Sequence, residues 1–433
     1  MKNKKIFIVG GGLAGAATAY FLKRRGLKVP IFEQEKNYGG LCRSVKKNGF
    51  TFDYSGHLLH FRSPKTLSLV KKILKGNLTK HKRQSFIYTC GQFILSPFQA
   101  NFYNLPSEIA KKCLEGLREA HNNGGLTAKK ANFQGWITSN FGKGIADHFM
   151  IPYNLKFWKT PLNKLSYEWA DRFIIRQPYK KVKSSFSHKV PQNLGYNAYF
   201  WYPQKGGIEE LIKGFYSYLD DIYLEHKLKG IDLKKRELLF KGGRKEKFDT
   251  LISTLPLPEL LKIIKNLPDN IESSLSKLNW ISIYNINFGL EGKVQPNRHW
   301  IYFPQNQLKF FRAGFYHNFS KSLAPSNKSA LYVEISYSKN NHFAKDKIEG
   351  QVLKDLRTAG IIGKDNKIKT KCINDIKYAY PIYDHNWKKS RLKVLRYLCS
   401  QGILSVGRFG SWRYLSMEDV ILEAEETAKL ISC

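Results

Sequence analysis

Acidic residues are scarce in this 433-residue chain: 34 Asp and Glu stand against 72 Lys and Arg. That balance excludes an acidic, solvating composition. It leaves attraction of anionic substrates, contact with an anionic membrane face, or a lysine-rich surface with no specific partner. The lysines are scattered and form no tail, which argues against a nucleic-acid partner. Cysteine is sparse too. Cys42, Cys90, Cys113, Cys372, Cys399 and Cys433 include no C-x-x-C pair and no companion His cluster. A zinc site or disulfide framework is thereby disfavoured, no metal is expected, and a reducing cytoplasm is the simpler setting. No uncharged apolar run is long enough to span a bilayer. The expected location is cytoplasmic, with peripheral contact at the inner membrane face left open by the charge. Low-complexity stretches and internal repeats are also missing.

What is present is apolar and aromatic side chain, 42% and 14% of the residues. That is enough for large cores, and the length implies two or three interleaved domains. The lysine-rich start followed by an apolar stretch could pass for a signal peptide, but that stretch carries glycines at phosphate-loop spacing. Ile6-Phe7-Ile8-Val9 predicts a buried strand, and residues 16–22 predict a helix. Between them Gly10, Gly12 and Gly15 stand at G-x-G-x-x-G spacing, with Leu13 and Ala14 inside the motif. The first glycine permits a tight turn, the second lets backbone approach a pyrophosphate, and the third lets helix and strand pack closely. The helix N-terminus offers N–H groups and a positive dipole end to the phosphates. Residues 26–33 predict a second strand ending in Glu33, followed by Gln34, at the distance where a carboxylate meets a ribose hydroxyl. Strand, glycines, helix, strand and acid in order predict a dinucleotide site.

Lys36-Asn37-Tyr38-Gly39-Gly40-Leu41-Cys42-Arg43-Ser44 is a second glycine turn with an arginine. It resembles the GG motif of FAD proteins in the amine oxidase and UDP-galactopyranose mutase superfamily, which implies FAD held in part by Gly40, Leu41, Arg43 and Ser44. Ser416-Met417-Glu418-Asp419 opens a helix-like run to Ile431. In that superfamily the corresponding helix points at the flavin ring, which implicates Met417 and Glu418. Further segments are similar to the UDP-galactopyranose mutases, particularly the eukaryotic type. They are Phe52-Asp53-Tyr54-Ser55-Gly56-His57, Ser96-Pro97-Phe98-Gln99, the stretch from Gly144 to Trp158, Asn197 to Pro203 leading into Gly206-Gly207-Ile208, Trp300 to Pro304 with Phe311-Arg312-Ala313, and Gly407-Arg408-Phe409-Gly410-Ser411-Trp412-Arg413-Tyr414.

The resemblance implies a nucleotide-sugar pyranose/furanose mutase, with a UDP-sugar as substrate and surface polysaccharide synthesis as its use. The N5 of reduced FAD attacks the anomeric carbon and the nucleoside diphosphate leaves and later returns, with no net redox. NADPH or NADH, bound transiently, would be the reductant. Carried over residue by residue, Arg312 and Arg408 bind the diphosphate, helped by Tyr302, Tyr380 and Tyr414. Asn154, Trp158, Arg172 and Asn197 surround the sugar and the mobile loops. Phe98 and Gln99 face the nucleobase, and Gly56 with His57 senses the flavin. The chain departs from the pattern at Ser55 (a glycine), Ser96 (a tyrosine that sandwiches uracil), Ile151 and Trp201 (arginines) and Phe319 (a tyrosine), and the segment after Tyr414 is shortened. The sugar and base are therefore open. The alternative is an FAD-dependent oxidoreductase of the amine oxidase or protoporphyrinogen oxidase type, which shares the cofactor motifs but has no reason to keep Arg312 with Arg408.

The expected fold class is α/β: a Rossmann-like FAD-binding domain with an interleaved helical insert and an antiparallel-sheet substrate domain. The expected boundaries are 1–95, 201–265 and 395–433 for the FAD domain, 96–200 for the helical insert and 266–394 for the substrate sheet. Residues 248–254 are expected to rejoin the FAD sheet. Residues 284–288 and 331–335 alternate as strands do.

Overall fold

The apolar run Ile6–Val9 forms the central strand of a five-stranded parallel sheet. Its neighbours are Thr250–Ser253 on one side and Ile31–Phe32 on the other, with Ile403–Ser405 and Ile222–Tyr223 at the edges. This computed structural model describes residues 4–124, 132–339 and 343–432. The first residues of the leader-like start (1–3), part of the helical insert (125–131) and Cys433 lie outside the described residues. The predicted second strand is only two residues long, Ile31–Phe32, because Lys28 and Pro30 precede it and a proline cannot donate to a ladder. Helix Leu13–Lys23 follows the first strand and packs against the C-terminal helix Met417–Ser432. The two ends of the chain thus build one α/β unit.

The second sheet has seven strands, ordered Ile368–Pro381, Trp280–Glu291, Lys328–Tyr337, Arg312–Phe315, Trp300–Tyr302, Ser85–Thr89 and Gln92–Leu95. Its pairings are antiparallel except for Trp300–Tyr302 against Ser85–Thr89. Two of its strands therefore come from residues 85–95, which sequence reading assigned to the FAD unit. A parallel pairing across more than two hundred residues leaves no local trace, so pattern reading could not place them. The fold is mixed α/β, with a parallel sheet and a separate, largely antiparallel sheet domain. A helical group includes Ser107–Asn122, Phe133–Ile145, Ile151–Trp158 and Tyr179–His188, and Ile151–Trp158 packs against strand Lys328–Tyr337 of the large sheet.

Two long inner strands of the large sheet do not have one wet face. Trp280–Glu291 and Lys328–Tyr337 are buried along almost their whole length. The alternating polar residues are an internal hydrogen-bonded cluster. Asn285 Oδ1 accepts from Asn287 (2.8 Å) and Asn374 (3.1 Å), and Asn287 Oδ1 accepts from the Tyr316 hydroxyl (3.0 Å). Asn285 and Asn287 are both fully buried, so these bonds replace water entirely. Asn285→Ala removes an acceptor shared by two buried amides. It is expected to cost about 2–3 kcal/mol, read as a lower urea midpoint at an unchanged denaturant slope.

Candidate active site

The glycine loop closes the carboxyl end of the parallel sheet. Gly10 sits at φ +102°, and a Cβ there would lie 2.1 Å from Thr254 Oγ1. A Cβ on Gly15 would lie 2.1 Å from the Gly10 carbonyl oxygen. Packing of the chain on itself therefore demands both glycines. Gly12 is different: its Cβ would meet only the Gly40 Cα, at 3.9 Å. The space over the N-terminus of Leu13–Lys23 is thus kept free of side chain, where backbone N–H groups and the helix dipole favour an anion. Glu33 closes the loop from the side. Its carboxylate accepts from the N–H of Gly11 (2.6 Å) and of Glu35 (2.9 Å). Arg43 donates from Nε to the Gly40 carbonyl (3.0 Å) and stacks on Tyr54. These groups fit a dinucleotide: a pyrophosphate over Gly12 and a ribose beside Glu33.

From this end a cleft of about 970 Å³ runs between the two sheets. Gly10, Gly12, Leu13, Ala14, Glu33, Gln34, Gly40, Leu41 and Arg43 line its first part. Gly56, His57, Arg408 and Met417 line the middle. Ser416 opens the C-terminal helix by capping: its hydroxyl accepts from the Asp419 N–H (3.2 Å), and Asp419 accepts from the Ser416 N–H (2.8 Å). Phe98, Gln99, Asn154, Trp158, Asn197, Tyr302, Arg312, Tyr380 and Tyr414 line the far part. Segments remote in sequence thus share one cavity.

Arg408 is held in the cleft wall with no carboxylate partner among the described residues. Its guanidinium donates to the carbonyls of Ala379 (2.8 Å) and Leu415 (3.3 Å) and lies 4.5 and 4.6 Å from the rings of Tyr380 and Tyr414. Its buried Nε has no partner. Such a charge is uncompensated by the protein and suits an anionic ligand. Arg312 is different. Its Nε and one Nη bind Glu334 in a bidentate pair, directly opposite on the adjacent strand. Burial opposes its charge, but Glu334 overrides this and holds the guanidinium firmly protonated.

The chain belongs to the flavin-containing amine oxidoreductase family. The family model matches residues 13–398. The chain is also similar to the crystal structure of reduced UDP-galactopyranose mutase, with a TM-score of 0.94 and 27% identity over 99% of this chain and 95% of that one. Curated relatives carry oxidoreductase names. Protoporphyrinogen oxidase 2 of Arabidopsis thaliana is 39% identical over 70 residues, 16% of this chain and 14% of its own length. Phytoene desaturase of Phycomyces blakesleeanus is 24% identical over 237 residues, 48% of this chain and 39% of its own length. The chain thus spans less than half the length of either relative. A flavoenzyme with FAD in the first part of the cleft is what family, fold and loop geometry support together.

Within this flavoenzyme cleft four sequence-predicted residues are not wall residues. Gly15 is consumed by helix packing. Ser44 donates to Asp53 (2.6 Å) and accepts from the Glu209 N–H, so it ties two parts of the FAD unit together. Glu418 is buried and accepts from the backbone N–H groups of Arg62 and Ser63. Arg172 pairs with Asp419, outside the cavity lining. Two predicted nucleobase residues are already engaged: Gln99 donates to the Ile175 carbonyl (2.9 Å), and buried Phe98 stacks on Phe149. Asn154 donates to the Met150 carbonyl (2.7 Å), and the Trp158 indole N–H is buried without a partner.

Sequence reading missed three features. Arg83 lines the cleft, buried, donating to Asn197 (2.5 Å) and to the carbonyls of Ser96 and Leu194, with no ion pair among the described residues. Its only signal was an arginine in an acid-free stretch. Glu334 lies hidden in an apolar strand. A π-helical turn, Ala146–Met150, precedes Pro152 in Ile151–Trp158 and brings Phe149, Tyr153, Asn154, Phe157 and Trp158 to the cleft.

His57 sits on the loop where Ser55 adopts φ +80° and donates to Glu334. Burial, and then the Arg408 charge, push its imidazole down to about 4, so it is neutral at physiological pH. The unfolded chain protonates near the ordinary value of about 6.5. The unfolded state therefore binds the extra proton first, and stability falls as pH drops from about 6.5 towards 4. His57→Gln is expected to remove up to about 3 kcal/mol of that fall. Urea unfolding of both proteins at several pH values checks this; parallel stability curves would refute it.

Proposed function

We propose that this flavoenzyme is a nucleotide-sugar pyranose/furanose mutase, acting on a UDP-sugar for surface polysaccharide synthesis. The observation that carries the proposal is Arg408: a guanidinium in the cleft wall, flanked by Tyr380 and Tyr414, with no acidic partner among the described residues. A nucleoside diphosphate supplies the missing charge. The flavin, when bound and reduced, supplies the nucleophile for the anomeric carbon. Everything else falls to the chain. Arg408 and the free edge of Arg312 stabilise the diphosphate as its charge grows on leaving and hold it for return. Burial raises the Tyr414 hydroxyl well above its ordinary value, so it remains a neutral donor to phosphate oxygens. Neutral His57 and the Gly56 carbonyl face the flavin-binding part of the cleft. The sugar lies against Asn154 and Trp158, and the base toward Arg83 and Ser96. A nicotinamide nucleotide entering the same cleft is the proposed reductant.

The test is incubation of dithionite-reduced protein with UDP-galactose, UDP-N-acetylgalactosamine and other nucleotide sugars, followed by chromatography and proton NMR. A furanose isomer formed only by reduced protein is expected. Arg408→Ala is expected to lower kcat/KM and UDP affinity by about a hundredfold or more, from the loss of charge-assisted bonds. The oxidoreductase names of the curated relatives favour a second reading, a flavin oxidase or desaturase. Absence of any isomer, together with flavin reduction by a small organic substrate, would establish that reading instead.

A further inference from the structure

Acidic residues are missing from two long stretches, 54–107 and 172–208, which carry eight and seven Lys and Arg respectively. The fold joins them. Strand Thr79–Lys82 pairs antiparallel with Tyr199–Tyr202, placing Lys80 opposite Trp201 and Lys82 opposite Tyr199. Side chains alternate along a strand, so these four share one face. The opposite face holds Phe200 and Tyr202, both fully buried. On the outer face Lys80 lies 4.7 Å from the Tyr199 ring and 6.0 Å from that of Trp201, and Lys71 from helix Pro64–Ile73 lies 5.2 Å from Trp201. Tyr199 is 53% exposed. Several cations of the two stretches are neutralised elsewhere: Arg62, Lys65 and Arg172 pair with acids of the C-terminal helix. Among the described residues Lys71, Lys80 and Lys82 have no ion pair, so this face keeps its charge.

We propose that this ribbon face docks the protein on an anionic lipid surface. Lysine stems and Tyr and Trp rings suit the interface, with apolar bodies against lipid and polar tips in the headgroups. The cations here are lysines without an arginine, point charges that respond to the diffuse field of a charged membrane. A nucleic-acid face would favour the planar arginine fork for phosphate and base edges. The face is distinct from the cleft residues named above, so it is independent of which reaction the flavoenzyme performs.

The test is co-sedimentation of the full, flavin-loaded protein with phosphatidylcholine vesicles and with vesicles containing phosphatidylglycerol. Binding to the anionic vesicles alone, lost in high salt, is expected. The triple variant Lys71→Gln, Lys80→Gln, Lys82→Gln should lower that affinity by about a hundredfold, roughly fivefold per lysine. Its flavin spectrum and thermal midpoint should be unchanged. Tyr199→Ala should weaken binding while leaving its salt dependence intact. Equal pelleting with neutral vesicles, or an unchanged triple variant, would overturn the proposal. So would failure to pellet combined with single-stranded RNA binding that the same three lysines abolish, which would assign the face to nucleic acid.

Discussion

A carboxylate buried in the middle of a sheet organises this molecule. Glu334 is fully inaccessible to water, and from Ser329 to Tyr337 it is the one charged residue of its strand. A lone charge there would be prohibitively costly. Arg312, directly opposite in the register, compensates it through a bidentate pair, and the Ser55 hydroxyl satisfies a further lone pair. Breaking such a pair leaves an unpaired buried ion, at about 3–5 kcal/mol. The triad therefore clamps three things together: the large sheet, the guanidinium that faces the cleft, and the loop that carries Gly56 and His57. A Cβ on Gly56 would fall 1.9 Å from the Tyr332 hydroxyl, so the loop also lies against this sheet with no room for a side chain.

A second buried acid joins the pieces of the FAD unit. Asp53 accepts from the hydroxyls of Ser44 (2.6 Å) and Tyr202 (2.5 Å) and from the N–H of Ile208 (3.2 Å), while its backbone carbonyl accepts from Tyr316 (3.0 Å). Burial raises its carboxyl to about 6, against the pull of these bonds. Ser44 thus belongs to the scaffold beneath the glycine turn, although it sits next to Arg43 in the motif. The same logic applies to Glu418 and Asp419: the acids at the start of the C-terminal helix serve neighbouring backbone and arginines, and Met417 and Val420 are the residues that meet the cleft. Position within a motif and direction of the side chain are separate facts.

Much of the cofactor half was legible in the chain because its requirements are local. Gly10, Gly12 and Gly15 stand within six residues and Gly15 abuts Gly10 itself, so spacing announces the loop, although the group that forbids a side chain at Gly10 is the distant Thr254. The large sheet was legible in part: residues 284–288 and 331–335 are strands, but their alternation does not mean a wet face, because Asn285 and Asn287 find partners across the sheet. The placement of residues 85–95 in that sheet was not legible, since it depends on a parallel pairing with Trp300–Tyr302.

The sequence by itself determined the α/β class and the dinucleotide loop, because backbone geometry at glycines and short-range periodicity are encoded where they act. Only the tertiary structure decided which charges are free. Arg312, Arg172 and Arg408 are equivalent as letters. Folding gives the first to Glu334, the second to Asp419, and leaves the third between two tyrosines with backbone carbonyls for company. The cause is electrostatic: a buried ion takes whichever partner the fold places within reach, and that partner is a hundred or more residues away as often as it is near.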